Sequence, residues 1–197
     1  MYIGLFGGAF DPIHYGHLLL ADQCLELCEL NEVWFIPTGI PPHKNKPIAS
    51  SKERLSMLKL ATKDHFKFRI NNIEIERNCI SYTIDTINQL KKRFPTFKFC
   101  VLIADEWLLQ LKSWKNYNQI INNCQIVAVN RGGRKITSKN IIQSLDDELK
   151  KKITFIKIPG IELSSSDIRQ RIKDKKSIKF MTTKNVESFI LKNNLYA

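Results

Sequence analysis

The sequence predicts an α/β fold in which helices cover both faces of a doubly wound, mostly parallel sheet. Short apolar runs typical of buried strands, such as Tyr2–Phe6 and Val33–Pro37, alternate with longer segments whose apolar residues recur at helical spacing. Strands separated by helices favour parallel pairing and burial of both sheet faces. The 197 residues, 43% of them hydrophobic and 25% charged, have the composition of one globular domain.

The predicted elements follow one another in a regular alternation. The first helix is expected to bury a face formed by Leu18, Ala21, Leu25 and Cys28. An α/β core over 1–163 and a small C-terminal helical part over 164–197 are expected to form a single domain. Strands or extended chain are predicted at 2–6, 33–37, 68–75, 97–104, 125–130 and 153–158, and helices at 16–27, 52–62, 82–94, 141–150, 166–173 and 184–193.

Charge and apolar content limit the classes of partner and location. The 31 Lys and Arg residues exceed the 19 Asp and Glu residues, and the net charge of +12 favours an anionic partner, although general surface basicity explains it equally well. No apolar run approaches the ~18 residues of a membrane span, and the start of the chain lacks the features of a secretory signal. The five cysteines are expected to be reduced and mostly buried in a cytoplasmic protein. A zinc site at Cys24 and Cys28 would need a second Cys or His pair nearby, which the sequence does not offer.

The most informative segment lies between the first strand and the first helix. Residues 7–17 read GGAFDPIHYGH. The paired Gly7 and Gly8 allow the backbone to approach a phosphate closely, and the following helix start offers free N–H groups and the positive end of its dipole. His14 and His17 stand three residues apart, so both rings can point into one pocket. A glycine-rich turn with two incidental histidines is the alternative interpretation.

A second candidate phosphate site opens a helix near the end of the chain. Residues 163–169 read LSSSDIR. Serines at a helix start are ordinary caps. Arg169, expected in the first helical turn, would oppose the helix dipole unless an anion also bound there.

These two segments resemble the signature elements of the nucleotidyltransferase superfamily that transfers adenylyl or cytidylyl groups. Leu163 and Ser166 replace the usual Ile and Thr of the second element, and Ala9 stands where Ser or Thr is usual in the first. The resemblance implies a Rossmann-like sheet and catalytic roles for His14, His17 and Arg169. It also implies an ATP site formed by Gly7, Gly8, Phe10, His14, His17, Ser165, Ser166 and Arg169.

The middle of the chain carries the residues that would select the second substrate. They comprise the loop segment 41–44 (PPHK), the segment 81–86 (SYTIDT), Asp105 after the fourth strand, and Trp114 with Lys115. Surface, capping or core roles are the alternatives for each. Together they resemble the bacterial nicotinate-nucleotide adenylyltransferases over nearly the whole chain. The resemblance implies that Lys44 approaches the mononucleotide phosphate and that Thr83 and Lys115 offer backbone N–H groups to the nicotinate carboxylate. It further implies that Trp114 stacks on the pyridine ring and that Asp105 contacts the nucleotide.

The implied reaction joins ATP and nicotinate mononucleotide into nicotinate adenine dinucleotide and pyrophosphate. Mg²⁺ is expected to enter with ATP, held by phosphates and water rather than by the protein, and no nucleic acid or membrane partner is expected. Three alternatives remain: nicotinamide mononucleotide as acceptor, phosphopantetheine as acceptor, and a basic nucleic-acid-binding protein. Ile103 stands where the family usually has Gly, a departure that bears on the choice between a carboxylate and an amide acceptor. Residues 131–133 (RGG) could lie near the adenine or in a surface connection, and the oligomeric state is open.

Overall fold

The computed structural model describes residues 1–42, 46–130, 145 and 147–197, and every structural statement below concerns these residues. Its strands are β1 (Tyr2–Gly8), β2 (Glu32–Pro37), β3 (Phe68–Ile70), β4 (Lys98–Ala104), β5 (Gln125–Val129) and β6 (Ile153–Ile156). Its helices are α1 (Tyr15–Leu27), α2 (Ser51–Thr62), α3 (Ile73–Glu76), α4 (Thr83–Arg93), α5 (Tyr117–Asn123), α6 (Asp147–Lys152), α7 (Ser165–Lys173) and α8 (Lys184–Lys192), with a 3₁₀ helix at Asp105–Ser113.

The strands form one parallel sheet in the order β3-β2-β1-β4-β5-β6. The chain first winds outward from β1 to β3 and then returns to the other side of β1. In register, Phe6 of β1 lies beside Phe35 of β2 and Leu102 of β4. The strand order therefore reverses at β1, and a crevice opens outside the carboxyl ends of β1 and β4, where ligands of such sheets bind. The predicted doubly wound, Rossmann-like fold is confirmed.

Two apolar clusters lie on opposite faces of the sheet because successive strand residues point to opposite sides. Phe6 and Leu102 belong to the cluster beneath α1 and α2, whereas Leu5 and Val101 belong to the one beneath α4 and α5. Buried residues of the C-terminal segment join the first cluster, namely Ile168, Ile178, Val186, Ile190 and Tyr196. The C-terminal helices thus share the core of the sheet.

Several predicted elements differ from those observed. Only 68–70 of the predicted extended segment 68–75 is strand, because the chain turns into α3 at Ile73. The buried face of α1 comprises His17, Leu20, Ala21 and Cys24, so the predicted stripe is rotated, and Leu18, Leu25 and Cys28 lie at its margin. The 3₁₀ helix and α5 were not expected from the sequence. Of the helix predicted at 141–150, residues 141–144 and 146 lie outside the described residues, and α6 begins at Asp147.

Within the described part of the chain, no helix combines the length and apolar character that crossing a lipid bilayer requires.

Candidate active site

The two glycines at the end of β1 have different roles. Gly7 is exposed although β1 is flanked by strands on both sides, and a Cβ built there would meet no atom within 4 Å. A Cβ at Gly8 would lie 3.1 Å from Cζ of Phe10, which is tighter than ordinary van der Waals contact. Gly8 therefore permits internal packing, whereas Gly7 leaves open space at the carboxyl end of the strand.

Phe10 is a core residue. Its backbone is left-handed, with a φ of 50°. Its buried ring makes edge contacts with Phe6 at 5.5 Å and with His17 at 5.1 Å between ring centroids. The predicted contact of Phe10 with ATP can therefore involve only its backbone, because the side chain supports the imidazole of His17 instead.

The two histidines stack on each other at the start of α1. Their ring centroids lie 3.7 Å apart, and His14 and His17 are only 1% and 8% exposed. The backbone N–H of His14 donates to Nδ1 of His17 over 3.3 Å. Because Nδ1 accepts this bond, the proton of the neutral His17 ring lies on Nε2, which can then act as a donor.

Gly16 allows the C-terminal segment to approach this pair. A Cβ at Gly16 would lie 3.1 Å from Nδ1 and Cε1 of His14 and 3.7 Å from the carbonyl oxygen of Leu163. The backbone preceding α7 therefore lies against the beginning of α1. A narrow cleft continues from here between α1 and the segment after β6, lined by Gly16, Leu19, Leu20, Asn130, 158–161 and Leu163.

Helix α7 brings Arg169 to the loop that carries His14. Arg169 Nη1 donates to the carbonyl oxygen of Asp11 at 2.6 Å, and Nη2 donates to Oγ of Ser166 at 3.1 Å. Ser165 Oγ donates to the carbonyl oxygen of Pro12 at 2.8 Å. The side chains of Ser165 and Arg169 therefore bond the α7 start to the N-terminal motif, as the convergence of the two motifs requires.

The sequence argument about Arg169 and the helix dipole was wrong. Ser164 is the N-cap of α7 and accepts a hydrogen bond from the N–H of Asp167, so Arg169 is the fifth helical residue and lies beyond the first turn. Its placement is explained by its bond to Asp11 instead. Asp167 is the acidic residue of the first turn, where it complements the dipole in the ordinary way.

Residues 9–13 are fixed by donors from distant elements. Beyond the bonds from Arg169 and Ser165, Arg54 Nη1 donates to the carbonyl oxygen of Ala9 at 2.8 Å, and Thr182 Oγ1 donates to that of Ile13 at 2.8 Å. Helices α2 and α7 and the segment before α8 thus each hold this loop. Several independent elements therefore determine the path of the histidine-bearing loop.

The segment 81–86, predicted to bind the acceptor, is held beside the chain that leaves the carboxyl end of β2. The N–H of Ser81 donates to the carbonyl oxygen of Ile40 at 2.8 Å, and the N–H of Gly39 donates to Ser81 Oγ at 3.1 Å. This pairing fixes the chain that leads into α4, whose first residue is the half-buried Thr83. The first N–H groups of a helix lack intrahelical partners, so the α4 start can receive an anion.

Lys115 connects the two acceptor elements. Its Nζ lies 3.3 Å from Oδ2 of Asp85 in the first turn of α4 and 4.3 Å from the centre of the Tyr82 ring. Trp114 is half-buried at the end of the 3₁₀ helix and packs against the second apolar cluster. The structure therefore brings Thr83, Trp114 and Lys115 into the same region. The ion pair between Lys115 and Asp85 is exposed and contributes little stability.

A buried polar group lies behind the start of α4. Glu74 Oε1 accepts a 2.7 Å hydrogen bond from Thr86 Oγ1, and Arg77 Nη2 donates to the same hydroxyl at 3.2 Å. Burial raises the pKa of Glu74, while Thr86, Arg77 and Ser81 act in the opposite direction. This group was not found from the sequence.

Asp105 is buried as the first residue of the 3₁₀ helix, directly after β4 and therefore at the crevice beside β1. Lys44, like residues 131–133, lies outside the described residues.

Sequence reasoning also missed buried Arg54. Arg54 lies four residues before Leu58 and eight before Thr62, so helical spacing places it on the buried face of α2. This spacing was the signal that the sequence offered.

Comparisons with known proteins agree with this geometry. A model of the cytidylyltransferase-like family matches residues 5–171. Probable nicotinate-nucleotide adenylyltransferases of Exiguobacterium sibiricum and Dictyoglomus thermophilum are each 39% identical to this chain, and each match covers 100% of both chains.

A solved structure shares the fold at lower identity. The Plasmodium falciparum nicotinic acid mononucleotide adenylyltransferase complexed with NaAD has a TM-score of 0.83 at 22% identity, covering 99% of this chain and 97% of that one. The family match over most of the chain and the full-length relatives lead to the same assignment. This chain belongs to the cytidylyltransferase-like family, among the nicotinate-nucleotide adenylyltransferases.

Proposed function

We propose that this protein transfers the adenylyl group of ATP to nicotinate mononucleotide. The observation that carries the proposal is the bond from Arg169 to the carbonyl oxygen of Asp11, because it places the α7 start against the loop bearing His14. Two helix starts with histidine, serine and arginine side chains then face one crevice at the switch point of a parallel sheet. This arrangement suits a polyphosphate.

On the donor side, the ATP phosphates lie over Gly7 and against the starts of α1 and α7. The open space at Gly7 admits a phosphate beside the backbone. His17 donates from Nε2, and Arg169 retains N–H groups besides the two bonded within the protein. These donors stabilise charge that builds up on the α-phosphoryl group and the leaving pyrophosphate.

On the acceptor side, the nicotinate carboxylate binds the backbone N–H groups of Thr83 and Lys115, and Trp114 faces the positively charged pyridinium ring. The mononucleotide phosphate is already largely ionised near pH 7, so no general base is needed. One phosphate oxygen of the mononucleotide forms a bond to the α-phosphorus of ATP. At the same time, the bond from the α-phosphorus to the oxygen that bridges it to the β-phosphorus breaks, and this bridging oxygen leaves as part of pyrophosphate. Catalysis then consists of positioning and charge stabilisation.

Mg²⁺ fits this site as a companion of ATP. Across the described ranges, the structure contains no group of three or more His, Cys, Asp or Glu side chains arranged to hold a metal ion. Hard oxygen ligands from the phosphates and water would supply most of its coordination, as Mg²⁺ prefers. When bound with ATP, the ion would neutralise charge on the phosphate oxygens.

The thiols support a role in a reducing compartment, and we expect the protein to act in the cytoplasm. Cys24, Cys100 and Cys124 are buried and free, and burial raises the pKa of Cys100 to about 12 and that of Cys124 to about 11. They remain thiols at neutral pH and do not compete as nucleophiles.

The proposal is tested with a panel of acceptors. The protein is mixed with ATP, Mg²⁺ and nicotinate mononucleotide, nicotinamide mononucleotide or phosphopantetheine, and pyrophosphate and the dinucleotide product are both measured. We expect the highest kcat/KM with nicotinate mononucleotide. A preference for either other acceptor would refute the assignment of the substrate. No pyrophosphate with any of them, together with salt-sensitive RNA binding, would refute the enzymatic function itself.

A further inference from the structure

We propose that Tyr196 is a positioning residue for the active site, acting through the carboxylate of Asp11. The proposal rests on the proposed function, since it concerns the loop that carries His14. Tyr196 follows α8, and its hydroxyl donates to Oδ1 of Asp11 at 2.7 Å, across 185 positions of the sequence. Neither residue is among those predicted from the sequence to contact substrate.

Asp11 links two segments that serve different halves of the site. Its Oδ2 accepts from the N–H of Ile48 at 2.7 Å, and its Oδ1 accepts from the N–H of Ala49 at 3.1 Å. Ile48 and Ala49 lie shortly before α2, in the connection that follows β2. The acceptor is proposed to bind beside the carboxyl end of β2. The backbone of Asp11 belongs to the loop before His14. The orientation of one carboxylate therefore sets the spacing between the histidine loop and the connection from β2.

Tyr196 completes the set of donors to this carboxylate. Asp11 and Tyr196 are only 3% and 5% exposed, so water cannot easily replace a missing donor. Burial and the Asp11 carboxylate raise the pKa of Tyr196, so its hydroxyl keeps its proton and remains a donor at all physiological pH values. With that donor removed, Oδ1 keeps only the longer bond to Ala49.

Arg54 makes the arrangement sensitive to the position of Asp11. Arg54 is 1% exposed, and its guanidinium donates to the carbonyl oxygen of Ala9, two residues before Asp11. The charge of Asp11 favours the charged form of Arg54 and so opposes the lowering of its pKa by burial. Asp11, Arg54 and Tyr196 thus form one buried polar cluster behind the loop, and a shift of the carboxylate is transmitted to the backbone that holds His14.

The test compares Tyr196→Phe with Tyr2→Phe. Tyr2 is the matched control because its hydroxyl bonds the side chain of Gln125 at the opposite, amino end of the sheet. Tyr196→Phe keeps the ring and its apolar packing. We expect its kcat with ATP and nicotinate mononucleotide to fall about tenfold with little change in either KM, since a misplacement of a full ångström costs about a hundredfold. Tyr2→Phe is expected to retain wild-type kcat.

Amide hydrogen exchange supplies a readout that does not depend on activity. In Tyr196→Phe the amides of Ile48 and Ala49 are expected to lose protection, whereas amides in the centre of β1 and β4 keep theirs. A variant that is merely less stable would lose protection throughout. Wild-type kcat, or unchanged exchange at Ile48 and Ala49, would overturn the proposal. Turnover by the wild-type protein in the same assay shows, independently of the variant, whether the proposed function holds.

A second variant tests whether Tyr196 acts through Asp11. Asp11→Ala removes both carboxylate oxygens and with them the acceptor of the Tyr196 hydroxyl. If the two residues act together, Tyr196→Phe should lower kcat less than twofold further in the Asp11→Ala background, a non-additive result. If Tyr196→Phe instead lowers kcat about tenfold in both backgrounds, Tyr196 acts independently of Asp11. This result would also overturn the proposal.

Discussion

Arg169 Nη1 lies 2.6 Å from the carbonyl oxygen of Asp11, so a guanidinium of α7 is bonded to the loop that precedes His14, 158 positions earlier in the chain. The bond satisfies a backbone acceptor and directs a cation toward the beginning of α1. It joins the two predicted phosphate motifs into one crevice. Arg169 is therefore part of the frame of the site as well as a candidate ligand of ATP.

Substitution of Arg169 should weaken the handling of ATP. We expect Arg169→Ala to lower kcat/KM for ATP at least tenfold, because it removes a cation and a hydrogen bond worth about 1.5–3 kcal/mol. Arg169→Lys should recover only part of the loss, since lysine offers a point charge without the planar fork. Steady-state kinetics with varied ATP measures both. Arg171→Ala, on the exposed side of the same helix, is the control. Unchanged ATP kinetics in Arg169→Ala would show that Arg169 has no role in the site.

His17 is expected to contribute mainly to the chemical step. His17→Ala should lower kcat by about a hundredfold or more, because a preorganised donor to the transition state is lost. His65→Ala controls for the loss of an imidazole, since His65 pairs with Asp22 outside the crevice. Rapid-quench measurement of dinucleotide formation checks that chemistry is the affected step. Turnover near that of the wild type would contradict the assignment.

Alanine at the two glycines of β1 should separate ligand binding from folding. Gly7→Ala enters open space, so its free energy of unfolding should change by less than about 0.5 kcal/mol, while its KM for ATP rises. Gly8→Ala presses on the ring of Phe10 and should cost about 1–3 kcal/mol of stability. Urea unfolding and ATP titrations measure both properties. Equal effects of the two changes on stability would contradict this division.

Glu74→Gln should change how stability depends on pH. Burial raises the pKa of Glu74 above its ordinary 4.5, so the folded state holds this proton more tightly than the unfolded state. The resulting stabilisation is present below pH 4.5 and is lost as the pH rises through the folded pKa. The stability of Glu74→Gln relative to the wild type should therefore increase between pH 4.5 and 8.

Urea unfolding across this pH range measures the difference. Glu26→Gln, an exposed change of the same kind, controls for the loss of one formal charge. A constant difference between Glu74→Gln and the control would show that Glu74 carries no such penalty.

Thiol labelling should distinguish Cys79 from the buried cysteines. Cys79 is exposed, whereas burial raises the pKa of Cys24, Cys100 and Cys124. Iodoacetamide at pH 8 should label Cys79 of the native protein first, and the three buried thiols only after unfolding. Mass spectrometry of the digested protein identifies the labelled sites. Rapid labelling of Cys124 in the folded protein would contradict the packing described.

Local sequence determined more of the fold than of the site. The strand and helix pattern predicted the parallel sheet, because apolar periodicity reflects which faces are buried and burial on both faces requires helices on both sides. It failed at 73–76 and at 105–113, where short helices end one element and begin the next. The segment 73–76 contains too few residues for a periodic pattern to be recognised. The segment 105–113 is a 3₁₀ helix, and its repeat of three residues differs from the α-helical repeat on which the prediction relied. The rotated face of α1 has a related cause, since His17 is polar in the sequence but buried in the fold.

The sequence by itself determined the chemical groups of this protein: the paired glycines, the two histidines and the serine and arginine residues near the end of the chain. Only the tertiary structure decided that Phe10 supports His17 from the core and that Arg169 bonds Asp11. It likewise decided that Tyr196 reaches back to the same residue. Residue spacing along a helix or strand specifies which side chains share a face. Contacts across more than 150 positions depend on how separate elements pack on the sheet, which no local pattern encodes.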